Sequence, residues 1–326
     1  MKSFGLKPSS GGQLHFKPGQ FLTFLQHANG RELRRSYSLS DGTGKSPTIT
    51  VKRVPNGAFS RWLIDQAKTG DVLHCDPIAT GLFTLPEKLD PNQVVWLFAA
   101  GIGITPIYAL LQSLLEDHNN KVVLVYSNRS REDAVFYERL RIFESRFPDR
   151  LSIAWLFSDA KDLRRARLSK ESFPRLLGEY LQDDPERARC FVCGPTDYMW
   201  LVQLLLQDAR VPVENVRREV FLVNKALPHR HPADHASHKV TVSVAGQSVS
   251  FMNRYPDSIL SSAKAAGIAL PFSCEYGQCG SCTAICNSGK VWMSYNEVLT
   301  EKDLAAGRVL TCTGHAIGGD VQLLIS

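Results

Sequence analysis

Cys274, Cys279 and Cys282 fall within the stretch Cys274-Glu-Tyr-Gly-Gln-Cys-Gly-Ser-Cys282, and Cys312 follows after a long interval. This C-x₄-C-x₂-C…C spacing lets four thiolates divide between the two tetrahedral irons of a [2Fe–2S] cluster. Gly277 and Gly280 allow the loop to wrap closely, so that backbone N–H groups point at the cluster sulfurs. Cysteine is also a common small core residue. A glycine-rich loop with no apolar periodicity, however, has no core face to offer. A cluster of this kind moves one electron at a time, so the rest of the chain has to hold the electron source.

Two arginine-bearing segments suit a phosphate-bearing, flat-ringed cofactor. In Arg35-Ser-Tyr37-Ser38 the guanidinium can pair with a phosphate while the phenol ring stacks on a heterocycle. Lys52 and Arg53 precede Gly57-Ala-Phe-Ser60, which would present backbone and hydroxyl donors at a helix start. A third segment, Gly101-Ile-Gly103-Ile-Thr105-Pro106, follows an apolar run. Its glycines let a pyrophosphate approach the backbone, and Pro106 suits the opening of the helix beneath it. The last position departs from the dinucleotide fingerprint G-x-G-x-x-G. Further on, Ser127-Asn128-Arg129 has no acidic residue before Glu132. An acidic side chain there would hold the ribose hydroxyls of NAD, whereas Arg129 accommodates a 2′-phosphate, so the chain leans towards NADPH over NADH. Cys193-Gly194-Pro195 ends a strand whose tip faces the same crevice as Gly101.

The elements that position these residues change character along the chain. Residues 1–90 read as a small antiparallel β-barrel, with strands at Phe21 to Phe24, Ser36 to Leu39 and Thr48 to Val51, and a helix capped by Ser60. Residues 91–224 alternate apolar strands (Val94 to Ala100, Lys121 to Tyr126, Leu151 to Leu156, Cys190 to Cys193) with helices. That pattern predicts an α/β doubly wound nucleotide-binding domain with its ligand at the strand carboxyl ends. Cys190 and Cys193 form a C-x-x-C, but on an extended strand they point to opposite faces and cannot chelate. Residues 225–238 read as a polar linker whose histidines lack apolar anchoring. Residues 239–326 carry a hairpin, a helix and the cysteine loop, as a [2Fe–2S] domain requires.

The 326 residues, 44% hydrophobic and 21% charged, suffice for several globular cores. The net charge of +6 is concentrated in residues 1–90, which suits a phosphate-bearing cofactor; no groove-reading module is present, so nucleic-acid binding is not expected. Eight cysteines are too few for a disulfide scaffold, and a thiolate-bound cluster points to the cytoplasm. No apolar segment follows the amino terminus as a secretory signal would. Val94 to Leu115 lacks charge over a membrane-spanning length, but its central Gly-x-Gly and Pro106 read as a strand, a turn and a helix start instead of a span.

Taken together, these motifs resemble, in order and over almost the whole length, the ferredoxin–NADP⁺ reductase-like flavoprotein reductases that carry a C-terminal plant-type ferredoxin domain. The resemblance implies that Arg35, Tyr37 and Ser38 hold the flavin and that Lys52, Arg53, Gly57 and Ser60 form its phosphate region. It implies that Gly101, Gly103, Thr105 and Pro106 form the pyridine-nucleotide loop, with Arg129 beyond it. Cys193, Gly194 and Pro195 would lie by the nicotinamide, and Glu219 and Phe221 near the flavin. Ser38, Thr105, Cys193 and Glu219 are then the candidates to line the hydride-transfer crevice, and Cys274, Cys279, Cys282 and Cys312 the iron ligands. FAD is favoured over FMN, and a β-grasp fold is implied for the last domain. The chain opens within what would be the first barrel strand, leaving an upstream segment open. The implied activity passes electrons from NADPH or NADH through flavin and cluster to a separate acceptor: an oxygenase, epoxidase, desaturase or hybrid-cluster protein. The loop around Glu275, Tyr276 and Gln278 is the expected docking face. A redox sensor or binding module using the cluster, and a reductase releasing free flavin, remain the alternatives.

Overall fold

The computed structural model describes residues 1–28, 31–44, 47–162, 165–180, 185–221, 231–244 and 246–325. The chain divides into two compact units, Met1–Leu222 and Val223–Ser326.

The first unit opens with β1 (Lys2–Gly5), β2 (Phe21–Ala28), β3 (Arg31–Ser38), β4 (Thr48–Val51), α1 (Ala58–Asp65) and β5 (His74–Cys75). β1 pairs antiparallel with β4, and β3, β2 and β5 form a second antiparallel sheet. Single bridges, Leu39 with Ile49 and Phe21 with Thr80, join the corners. Leu22, Phe24, Leu39, Ile49, Val51, Phe59 and Leu63 fill the space between them. The helix begins one turn earlier than Ser60 capping would require: Gly57 is the N-cap. The Ser60 hydroxyl instead accepts from Val54 N–H (3.2 Å) and donates to Gly57 C=O (3.3 Å), stapling the preceding turn.

The remainder of this unit is β6 (Val95–Ala100), α2 (Ile104–Asp117), β7 (Val122–Asn128), α3 (Tyr137–Arg146), β8 (Leu151–Phe157), α4 (Phe173–Tyr180), β9 (Arg189–Cys193), α5 (Thr196–Asp208) and β10 (Val216–Glu219). All strands are parallel, in the order β10-β9-β6-β7-β8. Every β6 residue is buried, as expected for a central parallel strand covered on both faces. Alternate residues serve the two faces: Val95, Leu97 and Ala99 pack with α2, and Trp96 and Phe98 with α5. Cys190 and Cys193 likewise belong to opposite cores. The chain leaves β6 for β7 and β8, then returns to β9 on β6's other side, so the crevice of the switch point lies at the carboxyl ends of β6 and β9. The uncharged segment Val94 to Leu115 is thus a strand, a 3₁₀ turn at Gly101–Gly103 and α2. No helix among the described residues is long and apolar enough to cross a membrane. Gly42 fastens the antiparallel part to α2: a Cβ there would lie 2.3 Å from the Ala109 carbonyl, and its N–H donates to Gln112 (3.0 Å).

The second unit contains β11 (His238–Val244), β12 (Gln247–Asn253), α6 (Ile259–Ala265), β13 (Thr283–Met293), α7 (Glu301–Ala305), β14 (Arg308–Leu310) and β15 (Gly314–Ile325). The sheet order is β12-β11-β15-β13-β14, with β11 and β15 parallel and the other pairs antiparallel, a β-grasp arrangement with α6 against the sheet. Ser258 caps α6, and Thr300 with Asp303 forms a capping box on α7. Of the expected linker, residues 225–230 lie outside the described residues. Residues 231–238 fold onto this unit: the Asp234 carboxylate accepts from Gly318 N–H (2.6 Å), Ala236 N–H (2.8 Å) and His238 Nε2 (2.7 Å). Those bonds hold the Asp234 carboxyl down at about 2.

Candidate redox site

The alternation of β3 puts Arg35 and Tyr37 on one face and Ser38 on the other. Tyr37 packs against Phe24 (5.9 Å between centroids) and Phe59 (5.8 Å), and burial pushes its phenol up to about 12. Arg35 is exposed, donates to the Arg34 carbonyl at 2.7 Å and makes no ion pair among the described residues. α1 has neither a side-chain cap nor an acidic residue in its first turn. An uncapped helix start, a guanidinium outside any ion pair among the described residues and a ring backed by two others fit a phosphate-bearing flavin. Lys52 is exposed. Arg53 is engaged otherwise: its Nη2 lies 2.9 Å and its Nε 3.0 Å from the Asp65 carboxylate on α1.

The two strand-end turns of the α/β part meet backbone to backbone. A Cβ on Gly103 would sit 2.3 Å from the Cys193 carbonyl oxygen and 2.7 Å from Gly194 N. Gly101 needs glycine for another reason, its φ of +55° with open space alongside. α2 starts at this turn with no side-chain cap and no acid in its first turn, leaving N–H groups for an anion. The Thr105 hydroxyl donates to the Ile102 carbonyl (3.1 Å), bracing the turn, and Pro106 lies in the first turn of α2. Pro195 is the N-cap of α5. Arg129 is exposed just past β7 and makes no ion pair among the described residues, whereas Arg131 is 3.0 Å from Glu138. Phe221 is 40% exposed, just past β10.

Ser38 and Glu219, distant in sequence, meet at the ends of β3 and β10. The hydroxyl lies 3.4 Å from Glu219 Oε1 and 3.5 Å from Oε2, and both residues are buried. Glu219 is in register with Cys193 on β9. Burial pushes the Glu219 carboxyl up to about 8, with the Ser38 hydroxyl pulling weakly the other way. Burial, and then the Glu219 charge, raise the Cys193 thiol, so it is neutral at ordinary pH and a poor nucleophile. The raised carboxyl has a signed consequence. Between the ordinary Glu value of 4.5 and about 8 the folded chain holds a proton that the unfolded chain has released, so stability falls with rising pH across that window and is level above it. Glu219→Gln cannot ionise; in the flavin-stripped chain its unfolding midpoint should gain on the wild type from pH 5 to pH 8 and then run parallel, as urea titrations at several pH values will show.

In the second unit the four cysteines form two pairs. The Cys274 thiol is drawn down to about 6 by hydrogen bonding with Cys279, aided by the N–H groups of Tyr276, Gln278 and Cys279. Tyr276 N lies 3.4 Å from Cys274 Sγ. Cys282 is pushed up by its hydrogen bond with Cys312 and by burial. No three His, Cys, Asp or Glu side chains among the described residues converge as ligands of a single ion. Two thiol pairs with N–H groups turned to sulfur fit two bridged irons instead. The loop needs its glycine: Gly277 has φ +70°, and a Cβ there would lie 2.8 Å from the Tyr295 carbonyl. Glu297 N–H to Gly277 C=O (3.0 Å) and Thr311 N–H to Cys282 C=O (3.1 Å) brace it from outside. The loop face differs from expectation at one residue. Glu275 is exposed and Tyr276 partly so, but Gln278 is 3% exposed, because the left-handed turn at Gly277 directs it inward. Lys264 on α6, absent from the sequence reading, spans the first ligand: its Nζ is 2.8 Å from Glu275 and 3.5 Å from the Phe272 ring centroid. Only a spacing across helix and loop signals it, which no local motif encodes.

Antiparallel flavin part, switch-point crevice and paired thiols together define a nicotinamide-dependent flavoprotein with an iron–sulfur domain. Residues 2–79 match the oxidoreductase FAD-binding domain, 97–203 the oxidoreductase NAD-binding domain and 242–316 the 2Fe-2S iron-sulfur cluster binding domain. The ferredoxin reductase component of 3-ketosteroid-9-alpha-monooxygenase from Rhodococcus rhodochrous is 33% identical over 94% of this chain and 87% of its own. The reductase of the glycine betaine monooxygenase from Pseudomonas aeruginosa is 30% identical over 91% of this chain and 84% of its own. Phthalate dioxygenase reductase superposes with a TM-score of 0.57 at 26% identity, over 99% of this chain and 92% of that one. The chain belongs to this family of FAD-, NAD- and [2Fe–2S]-domain reductases, and it is an oxidoreductase.

Proposed function

We propose that the chain takes electrons from NADPH or NADH and delivers them singly to a separate oxygenase, as the names of its relatives suggest. The observation that carries the site assignment is the buried carboxyl group of Glu219 held against the Ser38 hydroxyl, beside Cys193, where the strands end. Arg35, Tyr37 and Ser38 hold the FAD, with the Gly57 to Ser60 turn and Lys52 at its phosphates; Arg53, tied to Asp65, acts by shaping that turn. Gly101, Gly103 and the first turn of α2, with Thr105 and Pro106, receive the coenzyme pyrophosphate. Cys193, Gly194 and Pro195 form an uncharged wall for the nicotinamide, and Phe221 borders the flavin. When bound, flavin and cluster supply the exchange between a hydride donor and one-electron transfer. The chain's part is positioning and exclusion of water. The protonated Glu219 and the Ser38 hydroxyl keep the crevice free of net charge while offering a proton at a fixed place. Cys274 and Cys279 would hold one iron, and Cys282 and Cys312 the other. The thiolate ligands suit the reducing cytoplasm.

Arg129 favours NADPH. The segment after it lines a cleft of about 520 Å³ together with Lys2, Ser3 and Thr50; Arg131, Arg139, Glu132 and Glu138 all border it, Arg131 being paired with Glu138. Reduction of the anaerobic protein by each coenzyme, followed by stopped-flow absorbance, tests the whole reading. Both the flavin and the cluster should bleach, and Arg129→Asp should weaken NADPH by roughly ten-fold or more while leaving NADH within about two-fold. Equal losses would remove the coenzyme assignment. A protein that dithionite bleaches but neither coenzyme does would be a redox sensor.

A further inference from the structure

Three residues of the cysteine loop have a left-handed backbone: Gly277 (φ +70°), Gly280 (φ +74°) and Glu275 (φ +63°). Glycine adopts this conformation freely, whereas a residue with a Cβ is disfavoured there by a factor on the order of ten, because the Cβ crowds a carbonyl oxygen. Such strain persists only where the surroundings hold it in place. Glu275 directly follows Cys274, and its dihedrals orient the peptide that carries the Tyr276 N–H. That nitrogen lies 3.4 Å from Cys274 Sγ. The left-handed turn at Glu275 thus aims a donor at the first ligand's sulfur.

The hold on Glu275 comes from outside the loop. Lys264 Nζ lies 2.8 Å from the Glu275 carboxylate and 3.5 Å from the centroid of the Phe272 ring, so one ammonium group bridges residues on either side of Cys274. Its stem rises from a fixed element. Ile259, Leu260 and Ala263 bury one side of α6, and the Leu260 N–H donates to the Thr311 carbonyl (2.9 Å), next to Cys312. The ion pair by itself would count for little, since its side chains are 37% and 49% exposed. The ring contact gives the same cation a second anchor.

Resting on the reading of the four cysteines as cluster ligands, we propose that Lys264 is a positioning residue for the iron–sulfur cluster: by clamping Glu275 in its left-handed turn it keeps the Tyr276 N–H on the Cys274 sulfur and slows loss of the cluster. The work of the Glu275 carboxylate is then within the loop, which sets it apart from the docking role expected of an exposed residue there.

Cluster release from the reconstituted full chain, followed anaerobically by absorbance after addition of an iron chelator, tests this. Lys264→Met and Glu275→Ala should each release the cluster about 3–10-fold faster than the wild type, and Lys264→Arg, which keeps the charge, within about two-fold of it. Glu275→Gly should also stay within about two-fold, since glycine takes the left-handed turn unaided. In that background Lys264→Met should add nothing further. Equal acceleration by Glu275→Gly and Glu275→Ala would overturn the inference, leaving only the loss of a surface charge, and so would unchanged release from Lys264→Met. A wild type that takes up no cluster on reconstitution would instead overturn the reading of the cysteines. Both side chains face solvent, so these substitutions leave the buried core of the unit intact.

Discussion

Cys312→Ala is expected to abolish electron delivery to a one-electron acceptor such as cytochrome c, by about 100-fold or more, while NAD(P)H-driven reduction of a two-electron dye stays within a few-fold. Cys312 is buried, lies in a different segment from the other three cysteines and pairs with Cys282. Its removal leaves one pair of thiols intact and the other broken. Loss of a partner that merely supports a metal ligand already costs about 10–100-fold in affinity, so loss of a ligand itself should release the cluster. The residues assigned to flavin and coenzyme belong to the other compact unit, which has cores of its own. The dye assay should therefore survive. Absorbance of the purified variant and the ratio of the two activities decide the matter. Parallel loss of both activities would mean that the cluster unit is needed for the first unit to fold, and unimpaired cytochrome c reduction would remove Cys312 from the ligand set.

Gly103→Val should be the most damaging substitution in the nucleotide-binding part, and the comparison with Gly101 shows why. Gly103 has ordinary helical backbone angles, φ −61° and ψ −7°, so any residue tolerates its conformation. Space is the obstacle: even a Cβ would meet the Cys193 carbonyl carbon at 2.5 Å and its oxygen at 2.3 Å, and these are backbone atoms that no rotamer change can move. The β6–α2 and β9–α5 turns would have to separate, taking Cys193 away from its place beside Glu219. Overpacking of this kind costs about 3 kcal/mol or more, a large fraction of a domain's total stability. Gly101→Ala meets nothing within 4 Å and strains only the φ of +55°, at about 1–2 kcal/mol. Thermal midpoints should therefore fall much further for Gly103→Val than for Gly101→Ala, and coenzyme KM should rise steeply only for the former. Comparable behaviour of the two variants would mean that the turns do not touch as described.

The Ser38 and Glu219 pair has a different standing from either of these sites. Nothing in the spacing of two residues 181 positions apart announces that they meet. The notion that both lie near the flavin came from resemblance of short motifs, whereas their contact depends on β3 and β10 being brought end to end. The same holds for the ion pair of Arg53 with Asp65 on α1, which joins two residues of different elements. It holds for Ser60 too, one turn inside the helix it was expected to cap, because Gly57 reaches the N-cap first and the Ser60 hydroxyl is spent on the turn.

What the chain's linear order determined is the chemistry that sits within one loop or one strand-to-helix turn. The cysteine spacing, the positive-φ glycines at 101 and 277 and the all-apolar β6 each encode a local geometry whose energetics are settled within a few residues. Tertiary structure alone decided which side chains meet across the fold: Gln278 turned inward, Lys264 across the first cluster ligand, Ser38 against Glu219. The reason is physical. A side chain's partner across the fold depends on strand register and helix placement, which many weak packing contacts fix collectively and no single spacing records.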